Sequence, residues 1–514
     1  MREHRRARHW IDGRWVDKGP EKESINPATG EVIGTYRDGG AQVAGAAIAA
    51  AGRCFRESSW PHDPMQRATA LAHLADAYAA RLDDIVDTLC AENGKMRREA
   101  AYESQWIGRA LRFAAGLAVQ TFGRVLDPRP GQQSMAIRQP VGVAGLIIPW
   151  NSPAYLSVRA LAPALAAGCT AVVKMPAYAA QTAALMNEIV SGVEELPTGA
   201  VNVFAESGSE GVELLVSSPD VPAISFTGST HTGRLIARAA AEHLKRVGLE
   251  LGGKTPHLVF DDADLEAALP VLEKSATVFA GQFCMTGSRV LAHRSIADEL
   301  RAALAQRLEH VRAGPASDPD NDMRPMIDKA NVARVDALVE EAIGAGAKPI
   351  VRGGPPADPE LAGGAFYRPP CSRSPIPPRP SCRRRCSLRC RPSRSSTPRR
   401  RPSRSPTTAR TGSAGPCGAG TPTASCVEGR LPGSRLRRHP VERDRLHAVA
   451  QQDPAGRVRR RHRAIRGLAH FAPAGRPLCP GWPPGTRFGW HLCNAAVLYL
   501  LVRTALRRAQ TVRQ

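Results

Sequence analysis

Residues 141–153 read VGVAGLIIPWNSP. An unbroken apolar run of this length fits a β-strand covered on both faces, since a strand with one wet face would alternate. Ser152 and Pro153 then read as a helix start, a capping hydroxyl followed by proline in the first turn. VRALAPALAA (158–167) carries that helix on, and Gly168 stops it. A doubly buried strand feeding a helix is the building unit of a parallel sheet with helices on both sides.

The same rhythm continues downstream. TAVVKM (170–175) reads as the next strand and AAQTAALMNEIVSGV (179–193) as the next helix. AVNVF (200–204), EGVELLV (210–216), PAISF (222–226) and HTGRLIARAAAEHL (231–244) repeat the pair twice more. Upstream, HWIDGRWVD (9–17) and INPATGEVIGTY (25–36) read as short strands. Residues from Gly39 to about Arg124 are expected to be helical, with ALAHLADAYAARLDDIVDTLCAENGK (70–95) carrying apolar residues at three- and four-residue spacing up to a stop at Gly94. A second unit begins near 276, where SRVLAH (288–293), IADELRAALAQRLEHV (296–311) and NVARVDALVEEAIGAGAKPIVRGG (331–354) alternate strand and helix, with one more strand start at GAFYRP (364–369). The expected fold class is α/β: a doubly wound parallel-sheet domain over 1–252 with N-terminal helices, then an incomplete α/β domain over 253–370.

Composition splits the chain at the same place. The 514 residues carry a net charge of +23. Residues 371–514 hold 31 Arg, no Lys and 4 acidic residues, which leaves 39 basic against 43 acidic residues for 1–370. The first part is thus mildly acidic, and all the basicity belongs to the tail. Three readings of 371–514 compete: a disordered Arg/Pro-rich tail, a nucleic-acid arm, or translation in a shifted frame. Arg, Pro, Ala, Gly and Ser have GC-rich codons and Lys does not, which favours the third, so nucleic acid is not the expected partner. Cys382, Cys386 and Cys390 have ligand-like spacing but no matched partner pair, and no metal site is expected. Only Cys54, Cys90, Cys169 and Cys284 precede 371, too few for a disulfide framework, and a reducing cytoplasmic setting is expected. AAVLYLLV (495–502) is too short to span a bilayer.

Four segments in order carry a specific likeness: IIPWNSP (147–153), AVVKMP (171–176), FTGSTHTG (226–233) with LELGGK (249–254), and GQFC (281–284). Together they resemble the aldehyde dehydrogenase superfamily over residues 9 to about 369. The resemblance implies NAD- or NADP-dependent oxidation of a small-molecule aldehyde to an acid. Cys284 would be the nucleophile, Glu250 the general base for thioester hydrolysis, and Asn151 with the Cys284 backbone N–H the oxyanion hole. It also implies that Lys174, Gly228, Ser229, Gly233, Trp150 and Leu251 bind the cofactor. On the residues alone, Cys54, Cys90 and Cys169 are packing residues.

Three departures bear on that reading. The position three residues after Lys174 is Ala177, where many NAD-preferring members place a ribose-binding glutamate, so NADP stays open. Glu206 stands where the family has glycine near the adenine. No E-x-F-G-P segment, whose glutamate holds the nicotinamide ribose, lies between 369 and 514. The family's oligomerisation strand is missing with it, and impaired activity is expected. A CoA-acylating or reductive relative, or a degenerate enzyme with a nucleic-acid-binding tail, are the alternatives.

Overall fold

The apolar run at 143–147 lies inside a seven-stranded sheet, and every one of its residues is buried. In the computed structural model, residues 5–120, 122–130, 132–373 and 424–426 are described. The Arg-rich segment, with Cys382, Cys386 and Cys390, lies outside the described residues apart from the strand Ala424–Cys426.

The N-terminal strands are β1 (Arg5–Ala7), β2 (His9–Ile11), β3 (Arg14–Val16), β4 (Glu21–Ile25) and β5 (Val32–Arg37). Four helices follow: α1 (Ala41–Glu57), α2 (Pro64–Ala80), α3 (Leu82–Asn93) and α4 (Arg97–Ala118). A hairpin of β6 (Gly123–Arg129) and β7 (Gln132–Ile137) comes next. The alternating region then gives β8 (Val143–Ile147), α5 (Pro153–Ala166), β9 (Thr170–Pro176), α6 (Ala180–Ser191), β10 (Val201–Glu206), α7 (Glu210–Ser217), β11 (Ala223–Gly228), α8 (Thr230–Ala241) and β12 (Arg246–Leu251).

The large sheet has the order β12-β11-β8-β9-β10-β2-β3. β8 to β12 are all parallel, and β2 joins antiparallel to β10. The chain runs outward from β8 through β9 to β10, then returns to the other side of β8 with β11 and β12. That reversal makes a switch point between the carboxyl ends of β8 and β11, the place where open parallel sheets bind ligands. The two faces are sealed by different helices. Ala144, Leu146, Ala171 and Val173 pack with helices α2 to α6, while Val143, Ile147, Val172 and Phe204 pack with α1, α7 and α8.

Among the described residues, positions up to 257, 271–291 and 301 onward form one compact unit, and 258–270 with 292–300 belong to a second. In the first unit, Cys371–Arg373 pairs antiparallel with Lys348–Val351 and parallel with Ala424–Cys426. No helix among the described residues is long and apolar enough to cross a membrane.

Three local expectations change. The run at 70–95 is two helices, because Arg81 breaks from helical geometry between them; the stop at Gly94 stands, with φ of 65°. Helix ends at Ala118, and β6 and β7 form an exposed ribbon with no buried face, so no alternation marked it in the sequence. Ser152 does precede the first residue of α5, but its hydroxyl caps nothing; the Tyr155 N–H donates instead to Glu103 Oε1 at 3.0 Å.

A second helix start is also capped from a distance. Glu92, buried at the end of α3, accepts from Gln181 N (2.7 Å), Thr182 N (2.8 Å) and Thr182 Oγ1 (2.8 Å) at the start of α6. Burial raises its pKa to about 7, with those hydrogen bonds pulling the other way. A carboxyl whose folded pKa exceeds its unfolded value binds a proton on folding, so its contribution to stability declines as pH rises from the ordinary glutamate range to about 7. The urea midpoint is therefore expected to fall between about pH 5 and about pH 8, and Glu92→Gln to flatten that fall. An unchanged pH slope in the variant would remove Glu92 from the account.

Candidate active site

The switch point places two of the expected residues directly. Asn151 follows β8 and opens α5; Gly228 ends β11, and Ser229 is the N-cap of α8, its hydroxyl accepting from Thr232 N at 3.0 Å. Glu250 lies on β12, paired in register with Thr227. β12 is the edge strand of the sheet, so Glu250 is half-buried rather than enclosed, despite its apolar neighbours.

Cys284 follows an unusual turn. Phe279 and Ala280 have φ of 51° and 52°, and Gly281 has 69°, so three successive residues are left-handed. For a non-glycine residue that conformation costs about 1–3 kcal/mol and persists only where surroundings impose it. Here they do. The Phe279 N–H donates to Glu99 Oε1 at 2.8 Å, and the Lys95 ammonium lies 3.9 Å from the centre of the Phe279 ring. Gln282, buried, accepts from Ile327 N through Oε1 at 3.1 Å. The Asn151 amide donates to the Gln282 carbonyl at 2.8 Å. Asn151 is thereby tied to the backbone two residues before the sulfur.

Cys284 is an exposed residue, unlike buried Cys54, Cys169 and Cys371 and half-buried Cys90, although protein surrounds its sulfur. Its pKa is raised, first by the protein mass around the sulfur and also by the negative charge of Glu250. Arg159 and the backbone N–H groups of Cys284 and Met285 pull it down. Two of the three expected catalytic groups thus feel each other directly, and the third holds the same loop.

Behind the loop lies a buried cluster that the sequence reading did not select. Lys95 and Glu103 form an ion pair with almost no exposure, and Arg324 lies 3.9 Å from Glu99, also buried. Arg324 donates to Asn93 O (2.8 Å) and Oδ1 (2.7 Å), and Asn93 Nδ2 in turn donates to the Trp150 carbonyl at 2.8 Å. One signal was available: Glu99 and Glu103 sit four residues apart on the face of α4 that also carries Ala100, Ile107 and Leu111. Carboxylates on an apolar stripe need partners.

Of the residues expected at a cofactor, Lys174 is buried at the carboxyl end of β9, its pKa lowered by burial and raised by Glu206 and Asp38. Glu206 ends the adjacent β10; its Oε1 accepts from Gly211 N at 2.7 Å, and its buried Oε2 has no partner. A Cβ on Gly233 would come within 2.7 Å of Leu251 Cδ2, so glycine lets α8 approach β12. Trp150 and Leu251 are half-buried, Leu251 against the core under α8.

Comparison with known proteins agrees with this layout. The aldehyde dehydrogenase family matches residues 15–373. The chain is 36% identical over 368 residues to the betaine aldehyde dehydrogenase of Bacillus subtilis (strain 168), covering 70% of this chain and 74% of that one. It is 33% identical over 354 residues to the succinate-semialdehyde dehydrogenase (NADP(+)) 2 of Schizosaccharomyces pombe, covering 68% and 71%. A crystal structure of betaine aldehyde dehydrogenase from Staphylococcus aureus in complex with NAD+ aligns with a TM-score of 0.67 at 32% identity, covering 71% and 74%.

The buried cluster makes a stability prediction. Lys95→Met strands the Glu103 carboxylate in the interior and is expected to cost about 3–5 kcal/mol in urea unfolding, whereas the pair Lys95→Met with Glu103→Gln recovers part of it because no charge is left unmatched. Additive losses in the double variant would show that the two groups act independently.

Proposed function

The chain belongs to the aldehyde dehydrogenase family, and from that premise we propose that Cys284, Asn151 and Glu250 oxidise an aldehyde to its carboxylic acid with NAD or NADP. The observation that carries this reading is the loop of Cys284, an exposed residue, held by the Asn151 amide and within electrostatic reach of Glu250.

In this mechanism the Cys284 thiol gives its proton to water, its sulfur bonds to the aldehyde carbon, and the carbonyl oxygen becomes an oxyanion. The Cys284 N–H and the second N–H of the Asn151 amide stabilise it, since the first is engaged by the Gln282 carbonyl. When bound, the dinucleotide supplies the acceptor for the hydride that leaves this carbon. A thioester then remains on Cys284. Glu250 takes a proton from water as the water's oxygen attacks the thioester, and the thiol leaves protonated once the acid departs. A base beside the sulfur favours hydrolysis over transfer to CoA.

The residues present fit a dinucleotide. Lys174 has a buried ammonium and Glu206 a buried carboxylate oxygen without a partner, side by side at the strand ends, so hydroxyl groups there would meet both a donor and an acceptor. Gly228 and Ser229 lead into the N-terminus of α8, which favours an anion such as a pyrophosphate. Trp150 and Leu251 would flank the cofactor. Ala177 offers no carboxylate, yet Glu206 and Asp38 both act on Lys174. This negative surround supports NAD ahead of NADP. With no E-x-F-G-P segment in 369–514, fewer groups hold the nicotinamide ribose, and reduced turnover is part of the proposal.

The test separates the steps. Cys284→Ala is expected to abolish aldehyde-dependent NADH formation, and Asn151→Ala to lower kcat by about 10²–10³-fold. Glu250→Gln should release one equivalent of NADH in a burst and then slow by about 10²-fold or more, because acylation is spared and hydrolysis is not. Undiminished turnover in Cys284→Ala would end the reading.

A further inference from the structure

Arg324 is fully buried, and a guanidinium is kept in an interior only where it has partners. Its Nη1 donates to Asn93 twice, to the carbonyl at 2.8 Å and to Oδ1 at 2.7 Å. That carbonyl is one of those the end of α3 leaves without an intrahelical partner, since the chain turns left-handed at Gly94. A Cβ on Gly94 would come within 2.6 Å of Pro325 Cγ, so the glycine lets Pro325, next to Arg324, close on the helix end. An Asn amide can present either its oxygen or its nitrogen, and a donor-only guanidinium selects the oxygen. The nitrogen is left facing the Trp150 carbonyl, to which it donates at 2.8 Å. Arg324 thereby orients the peptide that leads into Asn151.

The other arm reaches the nucleophile loop. Arg324 Cζ lies 5.3 Å from the centre of the Phe279 ring, the ring that the Lys95 ammonium also faces. The Phe279 ring stands 5.0 Å from that of Phe283, tilted at 60°, and Phe283 adjoins Cys284. Ile327, three residues past Arg324, donates its N–H to Gln282 Oε1 at 3.1 Å, and the Gln282 N–H donates to the Phe279 carbonyl at 3.0 Å. The Thr286 N–H closes the turn on the Phe283 carbonyl at 3.1 Å. Arg324 Nε and Nη2 have no hydrogen-bond partner among the described residues, with Glu99 Oε2 3.9 Å from Nε. A buried charge so incompletely paired contributes little stability. What it does is join two segments.

We propose that Arg324 is a positioning residue for the oxyanion hole. Asn93 on one side and the Phe279 turn on the other carry its placement to the Asn151 amide and to the Cys284 N–H, the two donors that must converge on one oxygen. The inference deepens the aldehyde-oxidation reading and rests on it. Lysine in this place keeps the charge but has no planar fork to meet Asn93 and the ring together. Misplacing a donor by about 1 Å slows the step by up to about 10²-fold, without weakening the binding of the aldehyde.

Steady-state kinetics and hydrogen exchange on the full chain test it. Arg324→Lys is expected to lower kcat for butanal about tenfold or more and to leave KM within about twofold. In an Asn151→Ala background the same substitution should lower kcat by less than about threefold, because the hole it sets is already broken. The pair Arg324→Met with Glu99→Gln guards against unfolding: no buried charge is left unmatched, and the introduced amide oxygen can still accept from the Phe279 N–H. It should show the same fall in kcat. Exchange needs no turnover. Peptides spanning 150–156 and 279–286 should exchange about threefold faster in Arg324→Lys, with those of β8 and β9 unchanged. A chain that oxidises no aldehyde defeats the functional reading, while exchange still decides the positioning. Unchanged kcat, equal falls in both backgrounds, or exchange that is unaltered or raised throughout the chain overturns the proposal.

Discussion

Everything at the site hangs on a buried set of four charges. Lys95, Glu99, Glu103 and Arg324 have almost no exposure, two of each sign, and each carboxylate reaches out of the cluster to a backbone N–H. Glu103 caps the start of α5, and Glu99 fixes Phe279 in its left-handed conformation. Such a cluster adds little to net stability, because desolvation offsets the attraction. Its effect is geometric. It locks the start of α5, just after Asn151, to the turn that leads to Cys284, through helix α4 and the turn before it. The price appears in the atoms left over: Glu99 Oε2 and Arg324 Nε lack hydrogen-bond partners although they are buried.

The parallel sheet supplies the second constraint. Reversal of strand order at β8 opens the crevice, and it leaves β12 on an edge. Both consequences serve the site. Asn151 and Gly228 emerge at the crevice from adjacent strands, while Glu250, on the edge strand, stays half-buried, which suits the role proposed for it as a base for water. A glutamate at the centre of the sheet would be packed on both faces and shut off from water.

Much of this was legible because the strands are buried on both faces. An unbroken run such as VGVAGLIIP can be little else in a chain with this alternation, and the order of motifs after it fixed the family resemblance. Ser152 marked the start of α5 correctly, although the cap comes from Glu103, some fifty residues away, and no local pattern reveals a tertiary cap. The ribbon of β6 and β7 was missed for the opposite reason: both faces are exposed, so nothing imposes a period.

The electrostatics of the sulfur explain why these pieces must act together. Desolvation alone would hold the Cys284 thiol protonated, and Glu250 adds to that. Arg159 and two backbone N–H groups oppose them without prevailing. The resting site therefore favours the thiol, which is the inert form. For the proposed attack the proton has to leave for water, to which Cys284 is exposed.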